Sequence, residues 1–208
     1  MIIAIDGPAA SGKGTIAKQI AKQYGLCFLD TGLLYRAVAH ETISKGFLPN
    51  DTWAVLATAR NIEDISLDNP LLRTIKIGES ASIVACLPEV RQQLLKYQRS
   101  FAKEKADVVL DGRDIGTVVL PEAHIKIFVT ASPEVRARRR YLERKSLGES
   151  VSYEEILMDI QARDTRDSNR TVAPLRPAED ALLLDTTDLD IENAFKTAVQ
   201  LIKRKIGH

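Results

Sequence analysis

Gly7-Pro8-Ala9-Ala10-Ser11-Gly12-Lys13-Gly14-Thr15 follows directly on the apolar run Ile2-Ile3-Ala4-Ile5, and no other stretch restricts the fold as much. A buried strand that breaks into a glycine-rich turn and continues as a helix leaves the turn's N–H groups pointing inward. The following helix adds its positive end. Such a turn cradles phosphate oxygens. Lys13 adds a mobile positive charge, and the spacing is that of a P-loop, G-x-x-x-x-G-K. Ile16, Ile20 and Tyr24 continue at helical spacing, so strand, loop and helix are all in place. There is one departure. The general pattern sets Ser or Thr directly after the lysine to hold magnesium; here Gly14 intervenes and Thr15 comes next.

Composition narrows the partners. The 208 residues are 45% hydrophobic and 27% charged, an ordinary globular balance for one domain or a core with an insertion. A net charge of +1 supplies no global field toward nucleic acid or membrane, so neither is expected as a partner. No apolar run approaches the ~20 residues that span a bilayer, and Met1 runs straight into the first strand, so no leader is expected. Cys27 and Cys86 lie in apolar surroundings and read as buried free thiols, which suits a reducing cytoplasm. His40, His124 and His208 are too scattered to make a metal site with them.

Strands alternate with helices throughout. Ile2–Ile5, Leu26–Leu29, Val108–Leu110, Ile125–Val129 and Ala181–Leu184 are strand candidates, with the continuous apolar runs of a parallel sheet covered on both faces. Lys13–Tyr24, Gly32–Lys45 (capped by Thr31) and Asn50–Ile62 read as helices. Pro88 opens a long one to about Lys103, and Ser132-Pro133 opens another. Ser152-x-x-Glu155 is a capping box for a helix to about Asn169, and Asp190 caps the last. The middle, about Glu63–Ile83, is least regular; Ile65-Ser66-Leu67 and Arg73-Thr74-Ile75-Lys76-Ile77 alternate as short strands of an insertion would. The pattern predicts an α/β fold, a doubly wound parallel sheet of about five strands with helices on both faces.

In such sheets ligands sit at the carboxyl ends of the strands. There the sequence places the P-loop, then Asp30-Thr31-Gly32 with Tyr35-Arg36, then Asp111-Gly112-Arg113-Asp114, then a helix with Arg136, Arg138, Arg139 and Arg140. Arg163, Arg166 and Arg170 share one helical face by spacing, with Asp164 and Asp167 to neutralise them in part. A salt-laced exposed helix is one reading; a polyphosphate clamp is the other, favoured beside a P-loop. Arginine's planar fork grips phosphate oxygens in pairs. No Asp-in-loop base or Ser–His pair is evident, which agrees with a phosphate acceptor that is already anionic. Asp111 is a candidate for holding metal-bound water.

These segments resemble the bacterial cytidylate kinases. The G-K-G-T ending looks like the variant P-loop of nucleoside-monophosphate kinases. Leu29-Asp30-Thr31-Gly32, Pro88-Glu89-Val90-Arg91, Asp111 to Val119, Arg136-Ala137 with Arg139-Arg140, and Arg163-Asp164 to Asp167 with Arg170, Ala173-Pro174-Leu175 and Asp180 carry the likeness over nearly the full chain. The resemblance implies transfer of the ATP γ-phosphate to CMP or dCMP with Mg2+. It implies that Gly7, Pro8, Ala9, Ala10, Ser11, Gly12, Lys13, Gly14, Thr15 and Arg139 hold ATP. Lys13, Arg113, Arg163 and Arg170 would be catalytic. Arg36, Arg113 and Arg170 would grip the acceptor phosphate, with Tyr35 beside them; Ser82, Arg91 and Asp114 would read the cytosine edge; Arg163 and Asp167 would lie near the acceptor sugar. Residues 62–90 would form an inserted piece over the acceptor and 142–152 a short lid, in a cytoplasmic monomer. Direct magnesium ligands stay unassigned. Another P-loop small-molecule kinase (shikimate, adenylate or dephospho-coenzyme A) and a nucleotide-binding switch remain as alternatives.

Overall fold

The first strand is buried because Ile3, Ala4 and Ile5 find apolar neighbours on both sides. The computed structural model describes residues 1–207. In chain order the main elements are β1 (Ile2–Asp6), α1 (Lys13–Tyr24), β2 (Cys27–Asp30), α2 (Thr31–Ser44), α3 (Thr52–Ala59), α4 (Ile75–Val84), α5 (Pro88–Lys105), β3 (Val108–Gly112), β4 (Ile125–Thr130), α6 (Pro133–Ser146), α7 (Tyr153–Ser168), β5 (Leu182–Asp185) and α8 (Ile191–Ile206). The five strands form one sheet in the order β2-β3-β1-β4-β5. β1 pairs in parallel with β3 and with β4, and β4 with β5, so these strands end at one edge.

The chain divides into two compact units: Met1–Phe28 with everything from Asp107 onward, and Leu29–Ala106. In the first, Ile3 and Ile5 pack with Val109, Ile127 and Val129 against Ile16 and Ile20 of α1 and Ala198 and Ile202 of α8. Side chains alternate along a strand, so Asp6 faces the other way from Ile5. There it meets a π-helical turn, Ile115–Val119, that strand–helix alternation does not foretell. α6 and α7 pack on each other through Ala137, Ile156 and Ile160, with Tyr141 and Tyr153 edge to face. The caps form as read. Ser132 accepts the Val135 N–H, Ser152 and Glu155 make a complete capping box, and Asp190 accepts the Asn193 N–H.

In the second unit α2 packs on α3 and α4, and α3 on α5. The predicted short strands are absent. Ile65-Ser66-Leu67 lies outside any strand, and Ile75-Lys76-Ile77 opens α4. Alternation over five residues fits a helix as well when the next turns continue it. Ile77, Ala81 and Val84 are buried at spacings of four and three, which only a helix puts on one face. Thr31 is the first residue of α2 rather than its cap, which is Asp30. Cys27 and Cys86 are free thiols as expected, but both are exposed: Cys27 opens an edge strand and Cys86 follows the end of α4. Among the described residues no helix is long and apolar enough to cross a membrane, and no group of His, Cys, Asp and Glu could cage a metal ion.

Candidate active site

The loop from Gly7 to Gly12 is shaped by backbone constraints. Gly7 has φ 153°, and a Cβ there would lie 2.0 Å from the Val129 carbonyl oxygen of β4. Only glycine lets the loop leave β1 so close to its neighbour. Ala10 holds φ 60°, a left-handed strain of the kind found at functional loops. Gly12 caps α1 at φ 88° with no side-chain hydrogen bond, and the first turn of α1 has no acidic residue, so its positive end faces the loop uncovered. Ser11 is fully buried and its Oγ has no hydrogen-bond partner. We expect Gly7→Ala to destabilise the fold by about 3 kcal/mol, from overpacking and backbone strain together. Urea unfolding checks this; wild-type stability would show that the loop can move aside at no cost.

The departure at position 14 has a steric cause. A Cβ on Gly14 would lie 2.9 Å from Oδ2 of Asp111, so a Ser or Thr there would push that carboxylate from its present position. The carboxylate occupies that side of the loop instead. Its Oδ1 is 3.3 Å from Lys13 Nζ, and both side chains are largely buried. This donor set fits Mg2+. One carboxylate beside a phosphate cradle is the usual arrangement for an ion that keeps its waters and shares substrate phosphates.

Beside the loop lies a cavity of about 790 Å³, walled by Gly12, Thr15, Arg139, Leu189 and Ile191 among others. Arg139 lines it, but its guanidinium is engaged with protein. Nη1 donates to Thr186 Oγ1 (3.0 Å), and Nη2 donates to the carbonyls of Thr186 (2.6 Å) and Leu189 (3.0 Å). Thr186, 1% exposed, in turn donates to the carbonyls of Ser11 and Thr130. Sequence reasoning missed the 186–191 wall. The signal available was the polar run Asp185-Thr186-Thr187-Asp188 at the end of the fifth strand, the edge where ligands gather.

Arginine number alone misleads about roles. Arg136 is buried and structural. It pairs with Asp164 through both Nη atoms (3.1 and 2.6 Å) and donates to the carbonyls of Ala131 and Ala9. Arg138 is exposed. Arg140 lines the cavity with its Nε buried and without a hydrogen-bond partner; burial lowers its pKa, and Arg113 and Arg144 lie close enough to repel it. The expected Arg163–Arg166–Arg170 face does not form, because α7 ends at Ser168 and Arg170 lies beyond it. The organiser is Asp167. Its Oδ2 accepts from Arg113 Nε at 3.0 Å and lies 3.9 Å from Arg163 Nε; its backbone carbonyl accepts from Arg170 Nε at 3.3 Å. Burial alone would raise the Asp167 pKa, but the three guanidiniums overcome that and hold it below the ordinary carboxylate value. Asp114, buried, follows Arg113 at the end of β3.

The remaining expected residues lie together in the other unit. Arg36 Nη1 donates to the carbonyls of Leu72 (2.7 Å) and Thr74 (3.2 Å), and its guanidinium rests on Gly78, where a Cβ would come within 2.8 Å of Nη2. Ser82, buried, is one turn further along α4 on the same face. The Arg91 guanidinium stacks over the Tyr35 ring at 5.5 Å and donates to the Ala85 carbonyl.

This architecture is that of the P-loop kinases. Shikimate kinase from Bacteroides thetaiotaomicron superposes over 98% of both chains with a TM-score of 0.55 at 14% identity, a likeness of fold alone. Sequence comparison is more specific. The cytidylate kinase family model matches residues 3–204. A cytidylate kinase of Brucella suis biovar 1 is 54% identical over 206 residues, 99% of this chain and 94% of its own. Another from Bradyrhizobium sp. (strain ORS 278) is 51% identical over 203 residues, 98% of this chain and 96% of its own. The chain belongs to the cytidylate kinase family, and is a nucleotide-using kinase.

Proposed function

We propose that this enzyme transfers the γ-phosphoryl group of ATP to CMP and dCMP, giving ADP with CDP or dCDP. The observation that carries the reading is Lys13, held 3.3 Å from Asp111 at the start of a helix whose glycine cap makes no side-chain hydrogen bond, in a chain of this family. The loop amides and Lys13 bind the outer phosphates of ATP, and the cavity beside them takes its nucleoside. Arg139 shapes that cavity by fixing the 186–189 backbone. Asp111 would hold Mg2+ together with waters and phosphate oxygens; the ion supplies neutralisation of charge on the phosphates.

On the acceptor side Arg36, Arg113 and Arg170 grip the CMP phosphate. Asp114 accepts from the cytosine amino group, and Arg91 and Ser82 bind the rest of the base edge. Asp167 and Arg163 serve the sugar side. Arg113, Arg163, Arg170 and Lys13 offset the repulsion between two anionic nucleotides and stabilise the moving group. The acceptor phosphate is its own nucleophile, so no general base is required. Residues 62–90 form the acceptor-side piece, and the α6–α7 turn around 142–152 closes as a lid that excludes water. The enzyme works as a cytoplasmic monomer on small nucleotides.

ADP release measured with CMP, dCMP, UMP and AMP tests this. We expect kcat/KM for CMP and dCMP to exceed that for UMP and AMP by about a hundredfold, since a buried base-reading group left unpaired costs 1–3 kcal/mol. Equal turnover of all four would remove the cytidylate assignment.

A further inference from the structure

Asp6 ends β1 one residue before the P-loop, and none of the roles above uses it. It is 5% exposed. Its Oδ1 accepts the Ile115 N–H and its Oδ2 the Gly116 N–H, each at 2.8 Å. A carboxylate gripping two successive amides with separate oxygens fixes that peptide in both position and tilt. Gly116 leaves room around this grip; a Cβ there would press on Lys126 Cδ at 3.1 Å and touch Asp6 Oδ2 at 3.4 Å. The gripped peptide opens the π-helical turn and directly follows Arg113 and Asp114. The Asp114 carbonyl accepts from the N–H groups of Val118 (2.9 Å) and Val119 (3.1 Å), so the turn and the Asp114 backbone hold each other.

The place is costly for a carboxylate. Burial raises the Asp6 pKa to about 7; the two amides act against this, and the charges of Asp114 and Asp111 add to it. An apolar residue would fill the space without that burden but could not grip both amides.

We propose that Asp6 is a positioning residue for acceptor-base selection: it locks the peptide that carries Asp114 to the strand that feeds the P-loop. This rests on the reading of Asp114 as a contact to cytosine. Its consequence is that base choice depends on a side chain that touches no base.

Asp6→Asn keeps the size but leaves one acceptor oxygen and turns an NH2 group toward the second amide. Steady-state kinetics with ATP, CMP and UMP on this variant, on Asp114→Asn and on Gly116→Ala form the test. For Asp6→Asn we expect the CMP-over-UMP ratio of kcat/KM to fall about tenfold, the cost of one unsatisfied buried amide. KM for CMP should rise while KM for ATP stays within about twofold, because the P-loop amides are untouched. Gly116→Ala sets a methyl group against the Lys126 stem and beside the Asp6 carboxylate, and should move the ratio in the same direction, even if Asp6→Asn fails to fold. An unchanged ratio in a folded variant, or equal rises in both KM values, overturns the proposal. If Asp114→Asn relaxes base choice and the other two do not, the base contact stands and the positioning role falls. If Asp114→Asn leaves base choice intact, the base contact fails and takes the positioning role with it.

Discussion

We expect Lys13→Ala to lower kcat/KM by about three orders of magnitude, an effect of roughly 4 kcal/mol for a charge that, in the proposed function, acts on the moving group in a nearly dry site. The expectation comes from placement as much as from motif. Lys13 opens α1, at the point where the helix dipole and the loop amides converge, and Asp111 holds its ammonium 3.3 Å away. The lysine can pivot from that carboxylate to phosphate without losing an ionic partner. Lys13→Met, which keeps most of the stem, should fail almost as badly. Lys13→Arg should also fail, because a planar fork does not replace a compact point charge beside Gly14. Stopped-flow phosphoryl transfer with CMP in excess is the measurement, with ATP affinity followed by titration. A folded Lys13→Ala enzyme within tenfold of native kcat/KM would displace the catalytic centre from this loop.

The parts legible in the sequence were those fixed by residues near one another in the chain. Strand, glycine turn and helix lie within Ile2 to Tyr24, and the Ser152–Glu155 box and the Ser132 and Asp190 caps each span one helical turn. What escaped depends on distant partners. Gly14 read as a departure from the general loop because the reason for it, Asp111, is almost a hundred residues away. Asp6 carried no signal, since nothing in β1 shows that it will meet the amides of Ile115 and Gly116. Arginine spacing suggested a shared helical face, yet α7 stops before Arg170, and a buried aspartate gathers the guanidiniums instead. Arg136 and Arg139 were indistinguishable by composition; contacts with Asp164 in one case and with the Thr186 and Leu189 carbonyls in the other set them apart. The strand reading of Ile75-Lys76-Ile77 failed because a short alternating run is decided by what packs beyond it.

In the proposed function Asp167 ties stability to catalysis, and Asp167→Asn should show both. The carboxylate is 3% exposed and receives Arg113 at 3.0 Å. An amide of the same shape keeps one hydrogen bond but removes the counter-charge. Breaking one side of a buried pair costs about 3–5 kcal/mol, because the remaining ion stays desolvated. We expect a loss near the lower end, about 3 kcal/mol at pH 7, since part of the hydrogen bonding survives. The pH dependence carries the sign. Burial pushes the Asp167 pKa up, but Arg113, Arg163 and Arg170 pull it below its unfolded value. Its stabilisation is therefore complete above the unfolded pKa, near 3.8, and is lost as pH falls through the lower folded value. Native enzyme and variant should differ most at neutral pH and converge in acid. Activity should fall about a hundredfold, as misplacement of a transition-state group by about 1 Å implies, with Arg113 no longer held by a charged partner. Urea unfolding from pH 3 to 8, with kcat at pH 7, tests both halves. A constant stability gap across that range would mean that the Asp167 charge does not hold the arginines in place.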